Sequence, residues 1–425
     1  MDLRKVLLTR VTLGLLCLCQ GIVVLGILLS GKGRSSETEI QGQQHQGVRQ
    51  PLVYDSKHSA WSSDGQRQGA VHGRTVHGCR GRTHLWQAED IFCLKKFDFL
   101  QDYKNPCFHQ RMRNGFNNVL CVPYFHLLGV DKCGTTDLFA RILAHPEIEA
   151  HDGLTGKEMF YWSTFRYGYG IRAWNMNTKE TVERYIFRMK KGKELIKMAS
   201  TNGFHDHIMG DGTPLDFWDF RGWTIIPQNE GLEEPEVLTP HLMSHLYRDP
   251  KFIILLRNPT ERLYSDYIFM GDGLTPDTFH KHTLEALDLI ETCFRNRTVR
   301  WCLFDRRMNL ALPTRIHVGC YAVFLKEWLA VFPRRSFLIL RTEDYKRNIK
   351  EHLHKVFRFL NVTKLSDDQI TEIAGRERKH VTKRKQAAGP MRRDTRVLLD
   401  RFYSRFNKQL AEILQERKYL WSDEI

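Results

Sequence analysis

A short apolar run, Tyr124-Phe125-His126-Leu127-Leu128-Gly129-Val130, passes directly into Asp131-Lys132-Cys133-Gly134-Thr135-Thr136 and then into Leu138, Phe139, Ile142 and Leu143 at helical spacing. A run this short and apolar suits a strand buried on both faces, and the spacing that follows suits a helix with one apolar side. A strand that turns through glycine into a helix leaves the helix's first N–H groups unpartnered and pointing beyond the strand end. Residues 252–256 and 337–340 are further apolar runs of the same kind, and residues 321–332 and 397–414 have amphipathic helical periodicity. Strands alternating with helices predict an α/β fold, a mostly parallel sheet flanked by helices on both faces. Ligands of such sheets lie beyond the carboxyl ends of the strands.

The N-terminus predicts the compartment. Arg4, Lys5 and Arg10 precede a mostly apolar stretch at residues 11–29. About twenty apolar residues cross a bilayer core, and basic residues on the N-terminal side keep a short tail cytoplasmic. Residues 28–31, Leu-Leu-Ser-Gly, offer no good small-x-small cleavage site, which favours an uncleaved signal-anchor over a cleaved signal peptide. Residues 1–10 are then a cytoplasmic tail, 11–29 a transmembrane helix, and everything beyond is lumenal. Asn296-Arg297-Thr298 and Asn361-Val362-Thr363 fit, as glycosylation acceptors at Asn296 and Asn361.

Residues 31–82 are rich in Gly, Ser, Gln and His, with too few large aliphatics to offset chain entropy, and read as a stem. A transitional stretch of aromatic residues and cysteines, 83–120, is expected to pack on the body, so that stem and transition occupy 30–120 and the globular domain 121–425. Of ten cysteines, Cys17 and Cys19 fall in the membrane segment, and among the rest Cys293 and Cys302 are close enough to pair. No Cys-x-x-Cys pair appears, and His205-Asp206-His207 near Asp211 reads as ordinary surface, so no metal is expected. The net charge of +15 calls for a polyanionic partner. A lumenal body excludes physiological nucleic acid and leaves an anionic polysaccharide.

The loop Lys132-Cys133-Gly134-Thr135-Thr136 has the physics of a phosphate cradle, with a close-approach glycine, free N–H groups, two hydroxyls and a mobile cation. Its order differs from a Walker A loop, where lysine follows the last glycine. A second anion grip follows residues 252–256, where Arg257 at a strand's carboxyl end and Ser265 two helical turns on can hold another phosphate. Two such turns in one sheet suit a nucleotide with phosphates at both ends.

On these residues the chain resembles the Golgi glycosaminoglycan sulfotransferases, which use 3′-phosphoadenosine 5′-phosphosulfate (PAPS). Lys132 to Thr136 look like the family's 5′-phosphosulfate loop and Arg257…Ser265 like its 3′-phosphate motif. His145-Pro146-Glu147, Gly156-Lys157-Glu158, Gly319-Cys320-Tyr321-Ala322 and residues 400–407 carry the likeness further. Arg257 to Tyr267 and Gly389-Pro390-Met391 look most like the enzymes that add a 6-O-sulfate to N-acetylgalactosamine 4-sulfate in chondroitin and dermatan sulfate. The resemblance implies Lys132 as stabiliser of the leaving phosphate and Glu158 as general base. Lys157 is a candidate contact for the acceptor's acidic groups, and Asp211, after Gly210 at a strand end, is placed to line the acceptor cleft, where the family more often has a lysine or glutamate; the resemblance implies Lys383, Arg384 and Lys385 as part of a basic loop over the donor. It implies a sulfated glycosaminoglycan acceptor and a Golgi membrane location, with no metal; a homo-oligomer is compatible with it. A heparan sulfate acceptor, or a silent polymer-binding protein on the same scaffold, are the alternatives. Asp131, an acid beside the cradle lysine, is the one feature pointing to silence.

Overall fold

Five short strands, most of their residues buried, assemble into one sheet of order β4-β5-β3-β6-β7. They are β3 (Phe125–Gly129), β4 (Ile148–Glu149), β5 (Ile208–Asp211), β6 (Lys251–Leu256) and β7 (Phe337–Arg341), and every neighbouring pair is parallel. Ahead of them β1 (Cys107–Arg111) and β2 (Asn117–Cys121) form an antiparallel hairpin. The structure is a computed structural model and describes residues 90–111, 115–153, 156–169, 179–271, 274–378 and 387–422. Residues 11–29 and Lys383, Arg384 and Lys385 lie outside them. Among the described residues no helix is long and apolar enough to cross a membrane.

The expected strands correspond to β3, β6 and β7. Every residue of β3 is buried, as is all of β6 beyond its first residue, because helices cover both faces. Around Phe252 the ring centroids of Phe332, Phe337 and Trp328 lie 4.8, 5.1 and 5.1 Å away. Each fully buried side chain of this size contributes about 1.5–3 kcal/mol. The helices that matter to the site are α1 (Thr135–Ile142), α2 (Pro259–Met270), α3 (Pro276–Asn296), α4 (Tyr321–Val331), α5 (Thr342–Arg347) and α6 (Arg393–Leu414). α1 follows β3, α2 follows β6 and α5 follows β7, so three strand-to-helix turns lie side by side at the carboxyl end of the sheet.

Residues 90–111 and 115–120 are an integral part of this unit. Ile91, Leu94, Cys107 and Phe108 are buried, and Asn105 bonds the Val122 carbonyl and the Met209 N–H. A Cys107–Cys121 disulfide closes the hairpin across paired positions. The Cys293–Cys302 disulfide expected from spacing ties the end of α3 to the following helix. A strand end at Gly210-Asp211 was legible in the sequence and is the end of β5, whereas β4 escaped because a strand of two residues carries almost no periodicity.

Candidate functional site

The loop from β3 to α1 is held from behind, leaving its front open. The Val130 N–H donates to the Leu255 carbonyl, and the Thr342 hydroxyl lies 2.7 Å from the Cys133 carbonyl and 2.9 Å from that of Leu256. Thr342, first residue of α5, therefore stitches all three turns together. Gly134 caps α1 at φ 94°, a conformation glycine adopts without strain, and no side chain caps the helix. The first-turn N–H groups are thus available to an anion beside the exposed Gly134, with Thr135 buried and Thr136 half-buried next to them. Burial pushes the Cys133 thiol up to about 12, so this residue offers its backbone rather than a nucleophile.

Arg257 leaves the end of β6 and reaches the cradle. Its Nη1 donates to the Lys132 carbonyl at 3.1 Å, its Nη2 pairs with Glu261 at 3.3 Å, and its own carbonyl accepts from the Tyr321 hydroxyl at 2.9 Å. Lys132 sits at φ 64° with its ammonium 3.6 Å from the Phe269 ring centroid. Phe269 is one helical turn beyond the buried Ser265 on α2, so Lys132, Arg257 and the Ser265 face of α2 converge. Burial holds the Lys132 ammonium below the usual lysine range, against the opposing pull of Asp266 and Asp131.

Asp131 is held by partners from distant parts of the chain. Its Oδ2 accepts from the Trp218 indole N–H at 2.7 Å, and its Oδ1 is 3.8 Å from Arg315. Arg315 makes a two-pronged contact to the buried Asp266, which Arg262 also approaches at 3.3 Å. Burial alone would raise the Asp266 carboxyl, but Arg315 and Arg262 outweigh it and hold it below the usual carboxylate range. Arg262–Asp266 was legible as an i,i+4 pair within the Arg257 to Tyr267 motif. Nothing local marks Trp218 or Arg315, which reach the loop only through the fold.

Glu158 lies beside the turn that ends β5. Lys157 Nζ donates to Glu158 Oε1 and to the Gly212 carbonyl, each at 2.6 Å, and the Gly212 N–H returns a bond to the Lys157 carbonyl at 2.8 Å. A Cβ on Gly212 would come within 2.8 Å of both Lys157 Cγ and Phe139 Cδ2, so only glycine admits this crossing. Glu158 keeps a side-chain exposure of 21%, and its Oε2 has no hydrogen-bond partner among the described residues. Lys157 and Asp211, expected to face an acceptor, both point inward. Lys157 is spent on Glu158 and Gly212, and Asp211 accepts from Thr213, with the Tyr185 hydroxyl at 3.3 Å from its other oxygen. Both are drawn in because they satisfy backbone groups that the β5 turn buries.

Gly389, in the turn read as part of the donor loop, accepts from the Tyr264 hydroxyl on α2 at 2.9 Å. Asn296 and Asn361 are both exposed. His207 bonds Glu149 at 2.7 Å, and among the described residues no group of three His, Cys, Asp or Glu is placed to hold a metal ion.

Residues 123–412 match the Sulfotransferase domain family model. The chain is 34% identical over 310 residues to carbohydrate sulfotransferase 15 of Rattus norvegicus and 34% identical over 312 residues to that of Homo sapiens. Each match covers 71% of this chain and 55% of the relative, so the chain spans about half the length of the curated relatives it matches. Among solved structures, a sulfotransferase from Alicyclobacillus acidocaldarius aligns with a TM-score of 0.46 and 20% identity, over 70% of this chain and 97% of that one.

Proposed function

This chain belongs to the sulfotransferase domain family, and from that premise we propose that it moves the sulfuryl group of PAPS onto the 6-hydroxyl of N-acetylgalactosamine 4-sulfate in chondroitin or dermatan sulfate. The observation that carries the donor reading is the 3.1 Å bond from Arg257 to the Lys132 carbonyl. It joins the two anion grips into one site for a nucleotide phosphorylated at both ends. The first turn of α1 with Lys132, Thr135 and Thr136 takes the 5′-phosphosulfate; Arg257 and Ser265 take the 3′-phosphate. Lys383, Arg384 and Lys385 supply further cations to the donor or the polymer.

The transfer is an in-line displacement in which the protein positions groups and stabilises charge. The acceptor oxygen bonds to sulfur while Glu158 Oε2 takes its proton. The bond from sulfur to the 5′-phosphate oxygen breaks, and the electron pair stays on that oxygen, facing Lys132 and the α1 N–H groups. Lys157 holds Glu158 Oε1, which turns the other oxygen outward. The silent-binder alternative drew only on Asp131, and that carboxylate is taken up by Trp218 and faces Arg315.

For the compartment we propose a single-pass type II Golgi membrane protein anchored by residues 11–29 and glycosylated at Asn296 and Asn361. The Cys107–Cys121 and Cys293–Cys302 disulfides support an oxidising lumen. The test of function is incubation of the full chain with radiolabelled PAPS and chondroitin 4-sulfate, dermatan sulfate or heparan sulfate, followed by disaccharide analysis. Label in 4,6-disulfated N-acetylgalactosamine is the expected result. Label confined to heparan refutes the acceptor, and polymer binding without any transfer refutes the enzyme.

A further inference from the structure

The segment bearing Glu158 is gripped on both sides by a single three-residue turn, Asp211-Gly212-Thr213, at the carboxyl end of β5. On one side Gly212 exchanges two bonds with Lys157, described above. On the other, Thr213 Oγ1 accepts from the Met159 N–H at 2.9 Å and from the Phe160 N–H at 3.0 Å, and donates to Asp211 Oδ1 at 2.7 Å. A hydroxyl has one hydrogen and two lone pairs, and all three are used here. Asp211 fixes where the hydrogen goes, which aims both lone pairs at the backbone just after Glu158. Phe160 stands at φ 53°, in the left-handed region, a conformation that a bulky residue keeps only when its surroundings impose it. Thr213 and Asp211 are each 1% exposed, so water does not substitute for these bonds.

The turn is also tied to the donor side. β5 pairs directly with β3, His126 opposite Asp211, and β3 runs into the Lys132 loop. The Phe217 N–H, a few residues past Thr213, bonds the Leu128 carbonyl at 3.1 Å.

We propose that Thr213, oriented by Asp211, is the positioning residue that sets the Glu158 carboxylate against the donor loop. Thr213 touches neither donor nor acceptor and acts through the Met159 and Phe160 N–H groups. The inference rests on the reading of Glu158 as base.

The test uses the full chain carrying Thr213→Val, Thr213→Ser, Asp211→Asn or Glu158→Gln, assayed with labelled PAPS and chondroitin 4-sulfate. PAP affinity is measured by calorimetry alongside. Misplacing a reacting group by about 1 Å costs on the order of 100-fold in rate. Thr213→Val is therefore expected to lower kcat by about 10- to 100-fold, with the KM for PAPS and the affinity for PAP within about twofold of wild type. Thr213→Ser, which restores the hydroxyl, is expected to recover kcat to within about threefold, and Asp211→Asn to lower kcat at unchanged PAP affinity. Wild-type turnover by Glu158→Gln removes the base assignment itself. An inactive Glu158→Gln beside a Thr213→Val of wild-type kcat refutes the positioning role alone. A serine variant as impaired as the valine one, or equal losses of kcat and PAP affinity, also refutes it, because either result marks a packing residue. If Thr213→Val does not fold, Thr213→Ala decides, since it removes the hydroxyl without adding a methyl: unchanged kcat overturns the proposal.

Discussion

Replacing Arg257 with lysine keeps the charge at the end of β6 but removes the fork that reaches two places at once. The guanidinium donates from Nη1 to the Lys132 carbonyl at 3.1 Å and from Nη2 to Glu261 at 3.3 Å. An ammonium is a point charge and cannot reproduce both bonds. A hydrogen bond to a charged group contributes about 1.5–3 kcal/mol, which corresponds to roughly 10- to 150-fold in affinity. The bond also helps hold Lys132 at φ 64°, a backbone state that costs about 1–3 kcal/mol when unsupported. Arg257→Lys should therefore weaken the 5′ end of the site as well as the 3′ end. Calorimetry with two ligands separates them: PAP, and adenosine 5′-phosphosulfate, which lacks the 3′-phosphate. The expected result is a loss of roughly 10-fold or more for PAP and a smaller but clear loss, about 3- to 10-fold, for adenosine 5′-phosphosulfate. Unchanged affinity for adenosine 5′-phosphosulfate would refute the reasoning, because the Lys132 carbonyl bond would then contribute nothing to the cradle.

Two further outcomes follow from buried charge. Asp266 has a side-chain exposure of 2% and depends on Arg315 and Arg262, so Arg315→Met should lower stability by about 3–5 kcal/mol in denaturant titration. Arg315→Met combined with Asp266→Leu should recover much of that loss, and if it does not, the penalty is one of packing rather than of an unpaired charge. His126 is buried with neither ring nitrogen hydrogen-bonded, and burial lowers it to about 4, with Asp211 pulling the other way. Between the unfolded value of about 6.5 and that value only the unfolded chain binds the proton, so stability falls as pH drops through this window, by about 3 kcal/mol in total. His126→Phe should flatten that part of a stability-versus-pH curve measured by urea unfolding, and an unchanged slope would show that His126 does not set it.

The amino-acid sequence by itself determined the elements with strong local signatures. Residues 252–256 suit a buried strand and the run from Tyr124 through Thr136 a strand turning into a helix, and the structure has both. Lys132, Gly134, Arg257 and Ser265, the residues proposed to grip the donor, could be picked out locally because each stands within a few residues of a strand-to-helix turn. The Cys293–Cys302 bond was legible for the same reason of proximity. Tertiary structure alone decided what depends on long-range packing. It turned Asp131 toward Trp218, 87 residues away, and brought Arg315 up beside it, so an acid that looked damaging in sequence has partners of its own. It drew Lys157 and Asp211 inward to satisfy the backbone of the turn that ends β5. And it placed Thr213 under Glu158, across 53 and 54 residues of chain to Phe160 and Met159. Local periodicity records which face of an element is apolar; which distant side chain meets a buried polar group is settled only when the sheet closes and each such group must find a partner.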